Sequence, residues 1–278
     1  MEEEAAKPQE GNKMTGDGMT TTTKKMSLKR GLLLVTAAAI FLGAGILVGW
    51  GIFDDDDDSY GIDSAFLDVP YDITLDPDDF VEGVNHPFFP LVVGTTMIYE
   101  GISEDETERI VFHVTNETRL VLGITCMVVR DTVYEDDEMV EDTFDWYAQD
   151  KEGNVWYMGE DTAEYEDGKI VNHDGAWEGG IDGALPGIIM HANPRVGLYY
   201  RQEYLKDEAE DFGGIISLDE TVTVPFGTYT GCLKTWDFNP SEPNVVENKW
   251  YAPGIGFVKE EKIEGEYEVV ELVDMYVE

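Results

Sequence analysis

A mainly β protein, laid out as an antiparallel meander behind one transmembrane helix, is what this sequence predicts, and three observations carry the prediction. From Thr95 onward apolar and polar residues alternate at period two, with little sign of the 3.6-residue period of a helix. Glycine-bearing turns at Glu152-Gly153-Asn154, Asp167-Gly168 and Gly265 punctuate that alternation. Ahead of it, an uncharged run at 31–53 lies between Lys24, Lys25, Lys29 and Arg30 on one side and five aspartates at 54–58 on the other.

The elements follow in chain order. Residues 1–30 form a tail whose first 23 positions hold almost no large apolar side chain, the composition of a disordered segment. Residues 31–53 would span about 34 Å as a helix, enough for a bilayer core. The basic flank puts the tail in the cytoplasm, and no small-residue cleavage site follows, so the run is expected to stay as a signal anchor. Gly45 and Gly49 make a G-x-x-x-G spacing within it, a contact for a weak homodimer. Residues 54–86 are expected as an extended, self-repelling acidic linker and 87–278 as the β-rich extracellular domain. Its strands are expected at 95–99, 108–115, 119–134, 144–149, 155–159 and 169–172, then at 198–205, 221–224, 229–236, 245–251, 256–263 and 267–277. The clearest hairpin joins 145–150 to 155–158. Glycines and prolines at 179–194 break the rhythm, which predicts a long loop there.

Beyond residue 53 stand 54 Asp and Glu against 12 Lys and Arg, a balance of −42. So negative a domain repels phosphate, which excludes nucleic acid as a partner. Two accounts of the acidity stay open: solvation of a surface facing concentrated salt, or adventitious divalent cations on scattered carboxylates. The only cysteines, Cys126 and Cys232, both fall in the outer part, where a disulfide between them is one expectation and two buried thiols the other. Asn116-Glu117-Thr118 is an N-x-[ST] sequon, so Asn116 is a candidate for glycosylation.

No nucleophile elbow, H-E-x-x-H or phosphate loop is present, and no catalytic, cofactor or metal residue is assigned. His86 is expected exposed at the domain edge and His113 half-exposed on a strand. His173, Asp174, His191, Glu178 and Asp182 flank the glycine-rich stretch as the only mixed set with metal-ligand chemistry. For acid–base work on a glycan, Asp145, Glu160 and Asp161 are the least arbitrary carboxylates, because Trp146 and Trp156 beside them could stack on sugar rings.

Several segments together resemble a group of uncharacterised secreted or membrane-anchored β-rich proteins of archaea and bacteria. They are Pro87-Phe88-Phe89-Pro90-Leu91, Gly94-Thr95-Thr96, Tyr99-Glu100-Gly101, Asp145-Trp146-Tyr147-Ala148-Gln149-Asp150, Gly153-Asn154-Val155-Trp156-Tyr157 and Trp250-Tyr251-Ala252-Pro253-Gly254-Ile255-Gly256. The resemblance implies a curved antiparallel sheet or half-barrel of the kind found in lipoprotein carriers, with no reaction and no catalytic residue attached. The functional expectation is a membrane-anchored, non-enzymatic binding or structural module, whose ligand could be small and apolar if the sheet forms a trough. The alternative is an extracellular hydrolase of glycan or peptide working through paired carboxylates.

Overall fold

The computed structural model describes residues 70–103, 107–206, 208–240, 244–265 and 267–278. The anchor, its Gly45 and Gly49, the tail and the linker up to residue 69 lie outside the described residues. Among the described residues no helix is long and apolar enough to cross a membrane.

The protein is mainly β and antiparallel. A short 3-10 turn (Pro77–Asp79), capped by Asp76, leads into β1 (Phe80–Val81), β2 (Val84–His86) and β3 (Phe89–Leu91). Five strands then follow as a meander: β4 (Thr95–Ser103), β5 (Thr107–Val121), β6 (Ile124–Glu135), β7 (Glu138–Asp150) and β8 (Val155–Glu166). After β9 (Lys169–Asn172) and β10 (Trp177–Glu178) come β11 (Leu185–Met190), β12 (Tyr199–Arg201) and β13 (Glu203–Tyr204). A second meander closes the chain: β14 (Phe212–Val224), β15 (Gly227–Phe238), β16 (Val246–Ala252), β17 (Gly256–Glu264) and β18 (Glu268–Val277).

The sheet goes further round than a half-barrel. β18 pairs with β4, joining the two meanders, and the strands at the ends of the sheet order are β12 and β13, two pieces of one segment broken only at Gln202. β12 pairs with β14 and β13 with β11, so this split strand brings the ends of the sheet together into a nearly closed barrel. Gln202 at the break donates from its backbone to Asp211 O (2.7 Å) and from Nε2 to Asp237 Oδ2 (3.0 Å).

Inside, the β2–β3 hairpin plugs the end where β16 turns into β17: Gly254 N donates to Pro87 O, and Phe89 packs on Tyr147 at 5.2 Å between ring centroids. Around it Tyr99, Tyr147, Tyr157, Ile188, Met190, Tyr251 and Phe257 make a filled core. A second, smaller core lies elsewhere: Val121, Ile124, Cys126, Val128, Trp146, Ala148 and Met158, covered by Leu75 and Phe80.

Several expectations change. The folded body takes in residues given to the linker: Tyr71 donates its hydroxyl to Pro186 O (2.7 Å), Phe80 packs edge-on to Trp156, and His86 is buried rather than exposed. The stretch at 179–194 holds strand β11, buried from Pro186 to Met190, because its partner β8 lies open to it beyond the meander. The strand expected at 119–134 is cut by a two-residue turn with Leu122 at φ 51° and Gly123 at φ 82°. Asp136-Asp137 turns in the same way. Both central residues of such a turn take positive φ, which Leu and Asp do not advertise as Gly or Asn would. The hairpin of 145–150 with 155–158 forms as expected, with Gln149 opposite Val155 and Ala148 opposite Trp156. Its loop is held by Asp150, whose carboxylate accepts from Gly153 N, Asn154 N, Asn154 Nδ2 and Trp156 Nε1.

Candidate functional site

Away from the plug the lumen turns acidic. Successive side chains of a strand point to opposite faces, so Glu141, Thr143, Asp145 and Tyr147 of β7 share one face. Asp145 stands opposite Glu160 of β8, while Thr143 stands opposite Thr162. Asp131 of β6 joins them across Thr143, and Glu203, Asp211, Asp237, Glu247 and Glu260 continue the acidic lining round the barrel.

Two walls treat these carboxylates differently. On the β15–β17 wall, Lys249 sits between three of them, with Nζ 3.3 Å from Asp237 Oδ2, 3.4 Å from Glu247 Oε2 and 3.5 Å from Glu260 Oε2. Lys249 is itself buried, which works against its charge; the three carboxylates outweigh that and hold its pKa well above the ordinary lysine value. Lys262 pairs with Glu268 at the rim of the same wall. On the β6–β8 wall, among the described residues, no cation forms an ion pair with Asp131, Glu141, Asp145 or Glu160. Hydroxyls stand against three of them instead. Tyr157 donates to Asp145 Oδ1 (2.7 Å) and Thr162 to Glu160 Oε2 (2.7 Å), while Thr143 lies 3.0 Å from Glu141 Oε1 and 3.2 Å from Thr162 Oγ1. Among the described residues, nothing donates to Asp131 Oδ1.

Burial dominates the electrostatics of this wall. It pushes Glu141 up to about 8, reinforced by the neighbouring Glu160. It raises Asp131, where Asp145 and Glu141 add to the effect, and it raises Glu160, where Asp145 adds. Asp145 is raised by burial too, against the pull of the Tyr157 hydroxyl. Buried carboxyls without cations hold protons to higher pH, which is chemistry a proton donor or a cation receptor would need. Among the described residues, however, no three His, Cys, Asp or Glu side chains converge to hold a metal ion.

Of the residues singled out in the sequence, Asp145 and Glu160 are brought together, at 2% and 8% exposure, while Asp161 faces outward beside His173. His173 donates Nδ1–H to Thr162 O, whereas His191 is buried against Tyr200, its pKa lowered to about 4 by burial and then by Arg195; the mixed metal set does not assemble. Glu178 pairs with Arg119. His113, half-buried, shares a 2.8 Å hydrogen bond with Thr96. The disulfide expectation is corrected: Cys126 and Cys232 are both free, buried thiols, one in each core cluster. Asn116 is exposed on β5, at the register shift between Val114 and Thr118. A cleft of about 550 Å³ opens beside β10 and β13, with Trp177, Ile181 and Tyr204 on its walls and Glu178, Asp182 and Glu208 around them.

Sequence reasoning missed Asp131, Glu141, Thr143, Thr162, Asp211, Asp237, Lys249 and Glu260. The available signal was the Glu141-x-Thr143-x-Asp145-x-Tyr147 alternation, which places three polar groups on the face of an otherwise core-forming tyrosine.

No family model matches this sequence, and no curated protein does. Among solved structures, the chain is similar to a protein described as exported, with a YmcC-like fold, from Bacteroides fragilis: 17% identity over 68% of this chain and 98% of that one, TM-score 0.39. It is also similar to one described as a lipoprotein from Parabacteroides distasonis, at 14% identity over 68% and 98%, TM-score 0.34. A β-barrel-like protein of a domain of unknown function from Brucella abortus matches at 12% identity over 67% and 98%, TM-score 0.36. At TM-scores this low the likenesses carry no argument about what the chain does.

Proposed function

We propose that the chain is a single-pass, membrane-anchored protein whose β-barrel stands outside the membrane as a non-enzymatic binding or structural module. Residues 1–30 would remain in the cytoplasm and 31–53 would be the anchor, a reading supported by the order of basic, uncharged and acidic segments. The observation that carries the non-enzymatic part is the state of the lumen. Its apolar half is filled by Tyr99, Tyr147, Tyr157, Tyr251 and Phe257, so an apolar ligand finds side chains where a carrier keeps a cavity. The best-placed acid pair, Asp145 and Glu160, is sealed in the wall, where a glycan could not lie between the two carboxyls.

Protease added to intact cells tests the location: the barrel is expected to be degraded while the tail survives, and an untouched barrel would overturn the topology. Native mass spectrometry of the full chain in detergent tests the filled lumen. A bare chain, or one shifted only by a glycan that Asn116→Gln removes, supports the proposal; a stoichiometric bound lipid sinks it.

A further inference from the structure

We propose that Glu141 and Glu160 hold one proton between them, relayed across Thr143 and Thr162, and that the barrel loses stability when alkaline solution removes it. Three contacts stand in a row: Glu141 Oε1 to Thr143 Oγ1 (3.0 Å), Thr143 Oγ1 to Thr162 Oγ1 (3.2 Å) and Thr162 Oγ1 to Glu160 Oε2 (2.7 Å). Each needs one hydrogen between its oxygens, and a threonine hydroxyl owns only one. An ionised carboxylate has none to give. Two hydroxyls therefore satisfy two of the three contacts, and the third hydrogen must sit on a carboxyl. With Glu141 protonated, the row runs from Glu141 through Thr143 and Thr162 to Glu160; with Glu160 protonated, both hydroxyls turn and the row runs back. If neither holds a proton, two oxygens face each other without a hydrogen in a wall where Thr143 is 1% exposed, an arrangement that desolvation makes costly.

The surroundings leave the proton as the counterion. Glu141 faces Glu108 from β5, Asp131 from β6, and Glu160 and Glu164 from β8. Glu160 faces Asp145 from β7, Tyr157 from its own strand, Trp177 from β10, Glu203 from β13, and Asp211. All of the charged groups in that list are acids. Glu141, pushed up to about 8 from an ordinary 4.5, binds more protons in the folded than in the unfolded chain between those values. Its stabilising contribution is thus complete below about 4.5 and disappears as the pH rises through about 8.

The test is the melting temperature of the full chain in detergent from about pH 6 to about pH 9. The wild type is expected to lose on the order of 5 °C over that range. Glu141→Gln, whose amide supplies the missing hydrogen at every pH, should melt close to wild type at the acid end and above it at the alkaline end. Asp161→Asn, on the outward face of β8, should follow wild type throughout. Parallel profiles for wild type and Glu141→Gln, or a flat wild-type profile, would overturn the proposal. Should Glu141→Gln fail to fold, infrared titration of the wild type decides. A carboxylic-acid carbonyl band present at neutral pH and lost at the alkaline end supports the shared proton; its absence at neutral pH refutes it.

Discussion

The β15–β17 wall and the β6–β8 wall of one barrel bury carboxylates by two different means. On the first, Lys249 gathers Asp237, Glu247 and Glu260 around a single ammonium, and Thr235 and Gln202 donate to the two oxygens of Asp237. On the second, the hydroxyls of Thr143, Tyr157 and Thr162 stand against Glu141, Asp145 and Glu160, and among the described residues no cation pairs with these carboxyls. The contrast teaches that a chain with so few bases can still line its interior with acids, provided those beyond reach of a lysine keep protons instead. The two means also fail differently. Loss of the lysine takes away the one cation that Asp237, Glu247 and Glu260 share, whereas loss of a hydroxyl or a proton matters most when the carboxyl ionises.

The largest expected effect therefore falls on the cationic wall. Lys249→Met leaves three carboxylates buried without their partner and should destabilise the barrel by about 3 to 5 kcal/mol, read by thermal or denaturant unfolding. A loss below about 1 kcal/mol would show that the lysine is not the keystone of this wall. Next comes the hydroxyl wall: Tyr157→Phe removes the hydrogen bond to Asp145 and should cost roughly 1 to 3 kcal/mol, with the greater loss at alkaline pH, where the carboxylate is charged. Equal losses in acid and alkali would put the cost in packing and erase the difference between the walls. Smallest is the outer face of the same strands. Arg130 pairs with Asp142 through two hydrogen bonds but stands in solvent, so Arg130→Ala should cost about 0 to 1 kcal/mol and serve as the exposed reference for both.

Gly159 shows how tightly the hydroxyl wall is made. It lies at φ 136° where β7 and β8 slip register, and a Cβ there would stand 2.5 Å from Trp177 O and 2.9 Å from Glu178 Cα. Gly159→Ala is expected to destabilise by about 1 to 3 kcal/mol, since both the backbone conformation and the close approach of β10 need a hydrogen in place of a side chain. Unfolding measured against wild type checks it; a neutral result would mean β10 can leave without cost.

How much of this was legible in the residues differs between fold and site. Period-two alternation and the Gly153 and Asp167-Gly168 turns were enough for the antiparallel meander and for the β7–β8 hairpin. The Leu122-Gly123 and Asp136-Asp137 turns were not, because positive φ at Leu and Asp leaves weak traces in composition. Within β7 the alternation defines two faces, Glu141-Thr143-Asp145-Tyr147 and Asp142-Phe144-Trp146-Ala148, yet both are largely buried, one against the lumen and one in the smaller core with Leu75 and Phe80. A pattern that normally tells inside from outside has little exposed face to compare against, apart from Asp142 beside Arg130. Lys249 was hidden for another reason: three carboxylates meet it from three strands, and only the register of β15, β16 and β17 aligns them.

By itself, then, the sequence determined the strand class, the principal hairpin, the preponderance of acid over base and the order of basic, uncharged and acidic segments, since each depends on neighbours along the chain. Tertiary structure alone decided that the split strand at Gln202 brings the ends of the sheet together, that the 84–91 hairpin fills one end, and which acids share a lysine and which share hydroxyls. Those outcomes depend on distances between strands far apart in the chain, and a local pattern of residues does not encode such distances.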